Sequence, residues 1–309
     1  NVRNILEFEK DFPNTRVIKL EENYRSYQNI LDAANQVIRH NINRKEKSLW
    51  TRKTGGEMIR LCRLDSEQQE ADFICQEIKH HINSGGRAGD IAVLYRMNNQ
   101  SRVIEEALMK YGIPYNIYGG LRFYDRKEIK DIISYLRILD NPNDDVSLQR
   151  IINVPKRGIG NATLAALQDA AAQRGKSIMD IIHDLDSNMV LSGQAAKKVM
   201  EFGRMIRSLN EERQKCSLTD FINLLLQKTN YQAALEEEDR IEAESRLENI
   251  KEFVSAAREF ESNNPDTGLT EFLENIALVS DIDRMDEDSP EAKSSVSLMT
   301  LHSAKGLEF

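Results

Sequence analysis

The stretch VSLMTLHSAKGLEF, residues 296–309, changes character partway along its length. Its first five residues are mostly apolar and predict a buried strand, whereas residues 302–306 predict a tight cationic loop directly behind that strand. A strand that follows a long helical segment predicts an α/β domain that is interrupted and then resumed. Because the chain opens on Asn1 and closes just behind this loop, we expect it to be an internal piece of a longer protein.

Between residues 15 and 120, candidate strands alternate with candidate helices. Apolar side chains recur with helical spacing over 26–41, again in the stretch that follows a capping box at Ser66 and Gln69, and again over 103–111. This order predicts a parallel, doubly wound sheet, in which the nearly continuous apolar run at 90–96 is covered on both faces. The candidate strands are TRVIKL (15–20), MIRLCRL (58–64), DIAVLYR (90–96) and the short IPYNIYGG (113–120).

The pattern becomes helical after about Gly120 and remains so to about Asp283. The segment 231–290 carries 18 acidic and 5 basic residues, so the rest of the chain is mildly basic despite a net charge of −8. We interpret the acidic segment as a solvated face, and the charge balance leaves an anionic partner open. The three cysteines are far apart, which is typical of reduced thiols and not of a disulfide framework or a zinc site.

Three of the candidate strands are followed by the same kind of polar segment. Ligands of open parallel sheets bind beyond the carboxyl ends of the strands, where helix N-termini also supply N–H donors. Aromatic, cationic and amide groups at these positions suit an anionic ligand with planar bases, and we expect the three tips to lie along one rim. Each segment taken alone is also explained as a helix cap, an asparagine-rich turn or an exposed lysine turn. The groups concerned are Tyr24 and Arg25, then Arg96 and Asn98, then Thr300, His302 and Lys305.

A fourth segment, NVPKRGIGNATL (153–164), joins two helical stretches through a proline and two glycines. Glycines on either side of Ile159 allow a backbone to approach closely, and Lys156 and Arg157 stand beside them. This arrangement suits a turn that grips a phosphate backbone without reading base sequence. A helix–helix turn with incidental basic residues explains the same letters.

No phosphate-binding loop of the G-x-x-x-x-G-K-[ST] type occurs in the sequence, and no acidic strand end of the Walker B kind is visible. We therefore expect this chain by itself not to hold Mg-ATP. No apolar run approaches the length of a membrane span.

With these residues in view, the sequence strongly resembles the PcrA/UvrD/Rep family of superfamily-one DNA helicases, and its PcrA branch most closely. The resemblance covers essentially the whole chain and rests on several motifs in the family's order. LEENYRS (20–26) looks like motif IV, PKRGIG (155–160) like the duplex-gripping hairpin, and VSLMTLHSAKGLEF like motif V. The stretches 92–120 and 122–145 resemble the second motor domain and the segment that leads into its helical insertion.

The resemblance implies an ATP-driven motor that unwinds DNA in the 3′→5′ direction. It implies that Tyr24 stacks on adenine, that Arg25 senses the γ-phosphate as a catalytic residue, and that Glu308 faces the ribose. Lys305 would link the DNA track to the nucleotide cleft. The implied single-strand contacts are Arg96, Asn98, Thr300 and His302, and the implied duplex contacts are Lys156, Arg157, Gly158, Ile159, Gly160 and Thr163.

The resemblance also implies a domain plan, a cofactor and partners. Residues 1–14 would be the tail of a first motor domain, 15–120 and 289–309 a partial RecA-like second motor domain, and 121–288 an all-helical insertion. The cofactor would be ATP with Mg²⁺, whose magnesium ligands and phosphate loop lie outside this chain. The partners would be single-stranded and duplex DNA, the remaining parts of the same protein, and repair or replication proteins of a bacterial cytoplasm.

Two other interpretations remain open from the sequence. In the first, the helical segment is a non-catalytic platform that docks duplex DNA or a protein, with the α/β part as its scaffold. In the second, the chain is the motor half of a helicase-nuclease.

Overall fold

The computed structural model describes residues 8, 11–41, 47–185, 190–237, 240–265, 267–285 and 295–307. The chain divides into two compact units, residues 1–64 and residues 65–309. The larger unit holds a small parallel sheet and a large helical region.

The first unit contains the helix α1 (Gln28–Arg39). The side chain of Asn35 ties this helix to the following segment, since its Nδ2 donates to the Leu49 carbonyl (2.8 Å) and its Oδ1 accepts from the Leu49 N–H (3.1 Å). An isolated parallel bridge joins Glu22 to Trp50, and the Asn23 N–H donates to the Trp50 carbonyl at 2.7 Å. These bonds hold the two segments on either side of α1 together.

The strands predicted at 15–20 and 58–64 are wrong. Both segments are fully described, and neither pairs as a strand. Their large apolar side chains lie in solvent: Ile18 is 70% exposed, Leu20 77% and Leu61 96%. A strand needs a neighbouring strand for its backbone and a covered face for its apolar side chains, and alternation of residue type supplies neither.

The sheet of the second unit has three parallel strands: β1 (Ala92–Tyr95), β2 (Tyr115–Tyr118) and β3 (Val296–Thr300). The order is β1-β3-β2, so the strand that follows the helical region lies between the two that precede it. The strands at 90–96, 113–120 and 296–300 are thereby confirmed. Tyr95 is in register with Thr300, and Tyr118 with Met299, which brings the carboxyl ends of all three strands to one edge.

Two helices, α2 (Glu67–Asn83) and α3 (Ser101–Lys110), contribute apolar faces to a core with the sheet. The Ser66 hydroxyl accepts from the Gln69 N–H at 3.2 Å, as the capping signal predicts. Leu94 of β1 is 43% exposed, so the prediction that this strand is covered on both faces is wrong at that position. The main members of this sheet core are Ala71, Cys75, Ile78, Tyr95, Val103, Leu108, Ile113, Val296 and Leu298.

The helical region has its own, larger core, centred on the apolar stripe of its first helix. Local signals start several of the helices; Ser177, for example, forms a capping box with Asp180. The helices are α4 (Lys127–Asp140), α5 (Asp145–Ile151), α6 (Asn161–Arg174), α7 (Ile178–His183), α8 (Gly193–Glu212), α9 (Leu218–Thr229), α10 (Tyr231–Glu236), α11 (Arg240–Asn263) and α12 (Leu269–Met285).

The helical pattern predicted after about Gly120 is confirmed on α4, where Ile129, Ile132 and Leu136 recur at helical spacing and are each 0% exposed. None of the helices in the described part of the chain has both the length and the apolar character of a membrane span. The chain is therefore a mostly helical α/β structure with a small parallel sheet.

Candidate functional site

Residues predicted to bind a ligand meet where β1 and β3 end. The Leu301 N–H donates to the Tyr95 carbonyl at 2.8 Å, which continues the strand pairing into the next residues. Arg96 and His302 then lie side by side, with Arg96 Nη1 3.4 Å from His302 Nδ1. Because a guanidinium only donates hydrogen bonds, Nδ1 is the acceptor in this contact. Both side chains are exposed, so they present an aromatic ring and a positive charge to solvent together.

The turn behind β1 is built by one glutamine. The N–H groups of Arg96 and Met97 both donate to Gln100 Oε1, each at 3.0 Å. Residues Asn98–Gln100 form a single 3₁₀ turn that leads into α3, and Asn98 is half-buried within it. The backbone of this turn is thus held by a side chain of the turn, while Arg96 points outward.

The turn behind β3 is built in a similar way by a threonine. Thr300 Oγ1 accepts from the Ser303 N–H at 3.2 Å and lies 3.0 Å from Ser303 Oγ. The Lys305 N–H donates to the His302 carbonyl at 3.3 Å, and the exposed Lys305 is followed by Gly306 at φ +92°. The Thr300 hydroxyl therefore shapes the turn that carries His302 and Lys305.

The end of β2 completes this edge of the sheet through two glycines. Gly119 has φ +74°, and a Cβ there would lie 2.6 Å from Ser303 Oγ. A Cβ on Gly120 would lie 3.6 Å from Asn98 Oδ1. These glycines are not among the predicted site residues, although a Gly-Gly pair directly after a strand signals close backbone approach. We call Arg96, Asn98, Gly119, Thr300, His302 and Ser303 the strand-end cluster.

Tyr24 and Arg25 belong to the first unit and lie on a turn shaped by Asn23. Asn23 Oδ1 accepts from the N–H groups of Arg25 (2.9 Å) and Ser26 (2.8 Å). The Tyr24 ring is 75% exposed, and its hydroxyl donates to Glu22 Oε2 at 3.0 Å. This bond with the Glu22 carboxylate raises the pKa of Tyr24. The expectation that this tip shares a rim with the strand-end cluster stays a prediction.

A small pocket of about 180 Å³ adjoins Tyr24, and its lining includes two cationic side chains that are not among the predicted site residues. Arg52 Nε pairs with Glu22 Oε1 at 2.9 Å, and Lys53 Nζ donates to the Arg25 carbonyl at 3.2 Å. The sequence marks Arg52 and Lys53 only by their position, two and three residues after Trp50. The pocket, which we call the Tyr24 pocket, is lined by Glu22, Asn23, Tyr24, Thr51, Arg52 and Lys53.

The 153–160 turn joins α5 to α6, and its basic residues point in different directions. Asn153 Oδ1 accepts from the N–H groups of Arg157 (2.8 Å) and Ile159 (3.1 Å). Lys156 is exposed, whereas Arg157 is half-buried and donates to the Val154 carbonyl (2.9 Å) and to the Tyr135 hydroxyl (2.7 Å). Arg157 therefore stabilises the turn, a role that sequence reasoning did not assign to it.

The glycines of this turn are at its surface and its isoleucine is in the core. Ile159, predicted as a duplex contact, is only 3% exposed and therefore buried, and Thr163 is half-buried on α6. Gly158 has φ +71°, and Gly160 is the N-cap of α6. Lys198 of α8 donates to the Gly158 carbonyl at 3.4 Å, which places a further cation at the apex. Sequence reasoning missed Lys198 because it lies 40 residues away from its partner.

The remaining predicted residue, Glu308, lies outside the described residues. Within the described parts of the chain, no group of three or more His, Cys, Asp or Glu side chains is arranged to hold a metal ion. The structure thus brings Arg96, Asn98, Thr300 and His302 together, and it places Lys156, Gly158, Ile159 and Gly160 on one separate turn.

Comparison with known proteins shows which family this chain matches. Residues 18–309 match the family model described as the UvrD-like helicase C-terminal domain. The chain is 46% identical to the ATP-dependent DNA helicase PcrA of Staphylococcus epidermidis over 311 aligned positions, and also 46% identical to that of Staphylococcus aureus. These alignments cover 100% of this chain and 42% of each relative, so the chain spans less than half the length of the curated relatives it matches.

Proposed function

Because this chain belongs to the family of UvrD-like helicase C-terminal domains, we propose that it is part of an ATP-dependent DNA helicase that moves 3′→5′ along one strand. The observation that carries this proposal is the strand-end cluster. An arginine, an imidazole, an amide and a hydroxyl meet at the carboxyl edge of a parallel sheet, which is where open α/β sheets bind their ligands.

The proposed architecture follows the order of the strands. Residues 15–120 and 289–309 form a partial RecA-like second motor lobe, 121–288 form a helical insertion, and 1–14 are the tail of a first motor lobe. The support is that β3 lies between β1 and β2, so segments from both sides of the helical region build one sheet. The separate core of the helical region is consistent with an insertion.

The strand-end cluster grips single-stranded DNA in this proposal. Arg96 supplies charge for a phosphate, the His302 ring offers a face for a base, and Asn98 and Thr300 supply polar groups beside them. A positive groove with aromatic rings binds single strands with little sequence preference. Lys305, on the turn behind His302, links this track to the nucleotide cleft.

The Tyr24 pocket carries the nucleotide contacts of the proposal. Tyr24 offers an exposed ring on which adenine stacks, and Arg25 reaches the γ-phosphate and stabilises charge in the transition state, as arginine fingers do. The pocket fits an anionic, planar ligand, since Arg52 and Lys53 add positive charge beside the ring. Glu308 faces the ribose. ATP supplies the leaving phosphate, and the magnesium ligands and phosphate loop come from outside this chain.

The 153–160 turn contacts the backbone of duplex DNA. The exposed glycines 158 and 160 let a phosphate approach the backbone N–H groups, Lys156 supplies charge, and Thr163 stands at the start of α6. The half-buried Arg157 stabilises the turn and adds positive charge to it. The further partners that we propose are the remaining parts of the same protein and repair or replication proteins in a bacterial cytoplasm.

A second candidate function is a non-catalytic docking module for DNA or protein. The observation that favours it is the large core of the helical region, which is separate from the sheet core. Mixing this chain with the missing N-terminal portion of the protein separates the two candidates. DNA-stimulated ATP hydrolysis that appears only in the mixture supports the motor, whereas its absence supports the module.

The motor proposal is tested most directly at Arg25. In the full-length protein, Arg25→Ala is expected to lower DNA-stimulated ATP hydrolysis by at least about a thousandfold, the effect of losing an arginine finger, while the Kd for single-stranded DNA stays within twofold. Arg39→Ala, an exposed arginine at the end of α1, is the matched control and leaves both quantities unchanged. Equal loss of hydrolysis and DNA binding in Arg25→Ala contradicts the assignment.

A further inference from the structure

The turn that carries Asn98 is held from behind by a buried arginine. Arg126 is 7% exposed and directly precedes α4. Its Nη2 donates to the Asn98 carbonyl at 2.9 Å and to Ser101 Oγ at 2.8 Å. One guanidinium nitrogen therefore bonds both the middle of the short turn between β1 and α3 and the first residue of α3.

The same guanidinium reaches across to α11. Arg126 Nη1 donates to Asn249 Oδ1 at 2.8 Å, and Asn249 Nδ2 donates to Glu128 Oε1 at 2.6 Å. The Glu128 carboxylate fixes which way the amide points, since it only accepts hydrogen bonds when ionised. Asn249 and Glu128 are 5% and 4% exposed, so these bonds are shielded from water.

A second buried arginine makes a parallel connection. Arg102 is 2% exposed and pairs through Nε with Glu252 Oε1 at 2.6 Å and through Nη2 with Glu259 Oε2 at 3.3 Å. Positions 249, 252 and 259 are spaced by three and seven residues, so they share one face of α11. Two buried guanidinium groups therefore connect that face of α11 to the turn that carries Asn98 and to α3.

Buried polar links of this kind have few alternative arrangements. Moving α11 relative to the turn would break the Arg126–Asn249 and Asn249–Glu128 hydrogen bonds in a region that excludes water, which is costly. A lysine cannot replace the planar fork that bonds the Asn98 carbonyl, Ser101 and Asn249 at once. The position of the Asn98 backbone is therefore linked to the position of α11.

We infer that Arg126 is a positioning residue that sets the affinity of the strand-end cluster for single-stranded DNA by fixing the Asn98 turn to α11. The inference rests on the proposed function, because it assigns the cluster a DNA ligand. Arg126 itself is buried and touches no ligand in this scheme. Its effect reaches the ligand through the Asn98 carbonyl and Ser101.

The test uses the full-length protein and the variant Arg126→Lys, which keeps the charge and loses the fork. The expected result is a Kd for single-stranded DNA about five- to tenfold higher, with the Kd for blunt duplex DNA within twofold. Asn249→Ala, which removes the anchor on α11, is expected to shift the single-strand Kd in the same direction. The matched control is Arg213→Lys, because Arg213 also bonds a carbonyl, a carboxylate and a hydroxyl, all within the helical region.

The readouts separate positioning from mere stabilisation. If Arg126→Lys and Arg213→Lys lower the melting temperature alike but only the former weakens single-strand binding, the inference stands. A single-strand Kd within twofold of the parent in Arg126→Lys overturns it, and so does unchanged binding in Asn249→Ala. Arg96→Ala distinguishes this failure from failure of the proposed function: if it also leaves single-strand binding unchanged, the DNA assignment of the cluster itself is wrong.

Discussion

The strand-end cluster and the 153–160 turn use similar residues in opposite ways. Each places one glycine at positive φ, Gly119 or Gly158, in a group of short turns or a turn that also carries basic side chains. In the strand-end cluster, Gln100 and Thr300 hold the backbone, so Arg96 remains at the surface. In the 153–160 turn, Arg157 bonds the Val154 carbonyl and the Tyr135 hydroxyl.

The difference shows that the composition of a turn does not decide what the turn presents. Where an uncharged side chain closes the turn, the cation is available to a ligand. Where the cation helps to close the turn, charge at the surface comes from a neighbour, and Lys198 of α8 supplies it at Gly158.

The largest expected effect is on stability. Arg157→Ala removes the donor to the Val154 carbonyl and the Tyr135 hydroxyl and also vacates the space beside Phe202, where the guanidinium lies 5.5 Å from the ring centre. Hydrogen bonds from a charged group that leave part-buried partners behind suggest a loss of about 2–4 kcal/mol in the free energy of unfolding. Urea unfolding of the 309-residue chain, followed by helical circular dichroism, measures it.

The two controls for this prediction are Lys156→Ala and Arg96→Ala. Both side chains are exposed, so each substitution is expected to change the free energy of unfolding by less than about 0.5 kcal/mol. If Arg157→Ala lowers the free energy of unfolding as little as Lys156→Ala does, the contrast between the two regions is wrong.

An intermediate effect is expected at the two glycines. Gly119→Ala places a residue with a Cβ at φ +74° and only 2.6 Å from Ser303 Oγ, a short side chain held by Thr300. Gly158→Ala has a similar φ, +71°, but its Cβ meets the flexible end of Lys198. The left-handed backbone costs both variants about 1–2 kcal/mol, and the collision adds to the first alone.

Gly119→Ala is therefore expected to be the more destabilising of the pair in the same unfolding measurement. Ser303→Ala in the Gly119→Ala background relieves part of the difference, because it removes the Oγ that the new Cβ meets. Equal losses at the two glycines, with no relief from Ser303→Ala, would show that the strand ends do not approach as closely as the structure has them.

The parts of the fold that sequence could predict are those set by local patterns. The strands at 92–95, 115–118 and 296–300 follow apolar runs, and the stripe on α4 follows helical spacing. The runs at 15–20 and 58–64 have comparable patterns and form no strand, because pairing depends on partners that a local pattern does not contain.

The candidate site divides in the same way. Arg96, Asn98, Thr300 and His302 were predictable because each lies at the carboxyl end of a strand or within three residues of it, and these ends lie at a shared edge. Lys198 and Arg126 were not predictable from local sequence. Lys198 bonds Gly158, 40 residues away, and Arg126 bonds Asn98, 28 residues away, and only packing creates these contacts. Arg157 was predicted as a duplex DNA contact because the local sequence does not show that its side chain points inward, toward Val154 and Tyr135.

The smallest expected effect concerns Lys198 as a surface cation of the 153–160 turn. In the full-length protein, Lys198→Ala is expected to raise the Kd for duplex DNA by about two- to fivefold and to lower the salt dependence of binding by about one phosphate contact. Lys197→Ala, the exposed neighbour on the same helix, is the matched control and leaves the salt dependence unchanged. Single-strand binding stays at the parent value in both variants, whereas Arg96→Ala shows the reverse pattern. A salt dependence that falls equally in both lysine variants would mean that α8 acts only through its general charge, and the assignment of the apex charge to Lys198 would then be withdrawn.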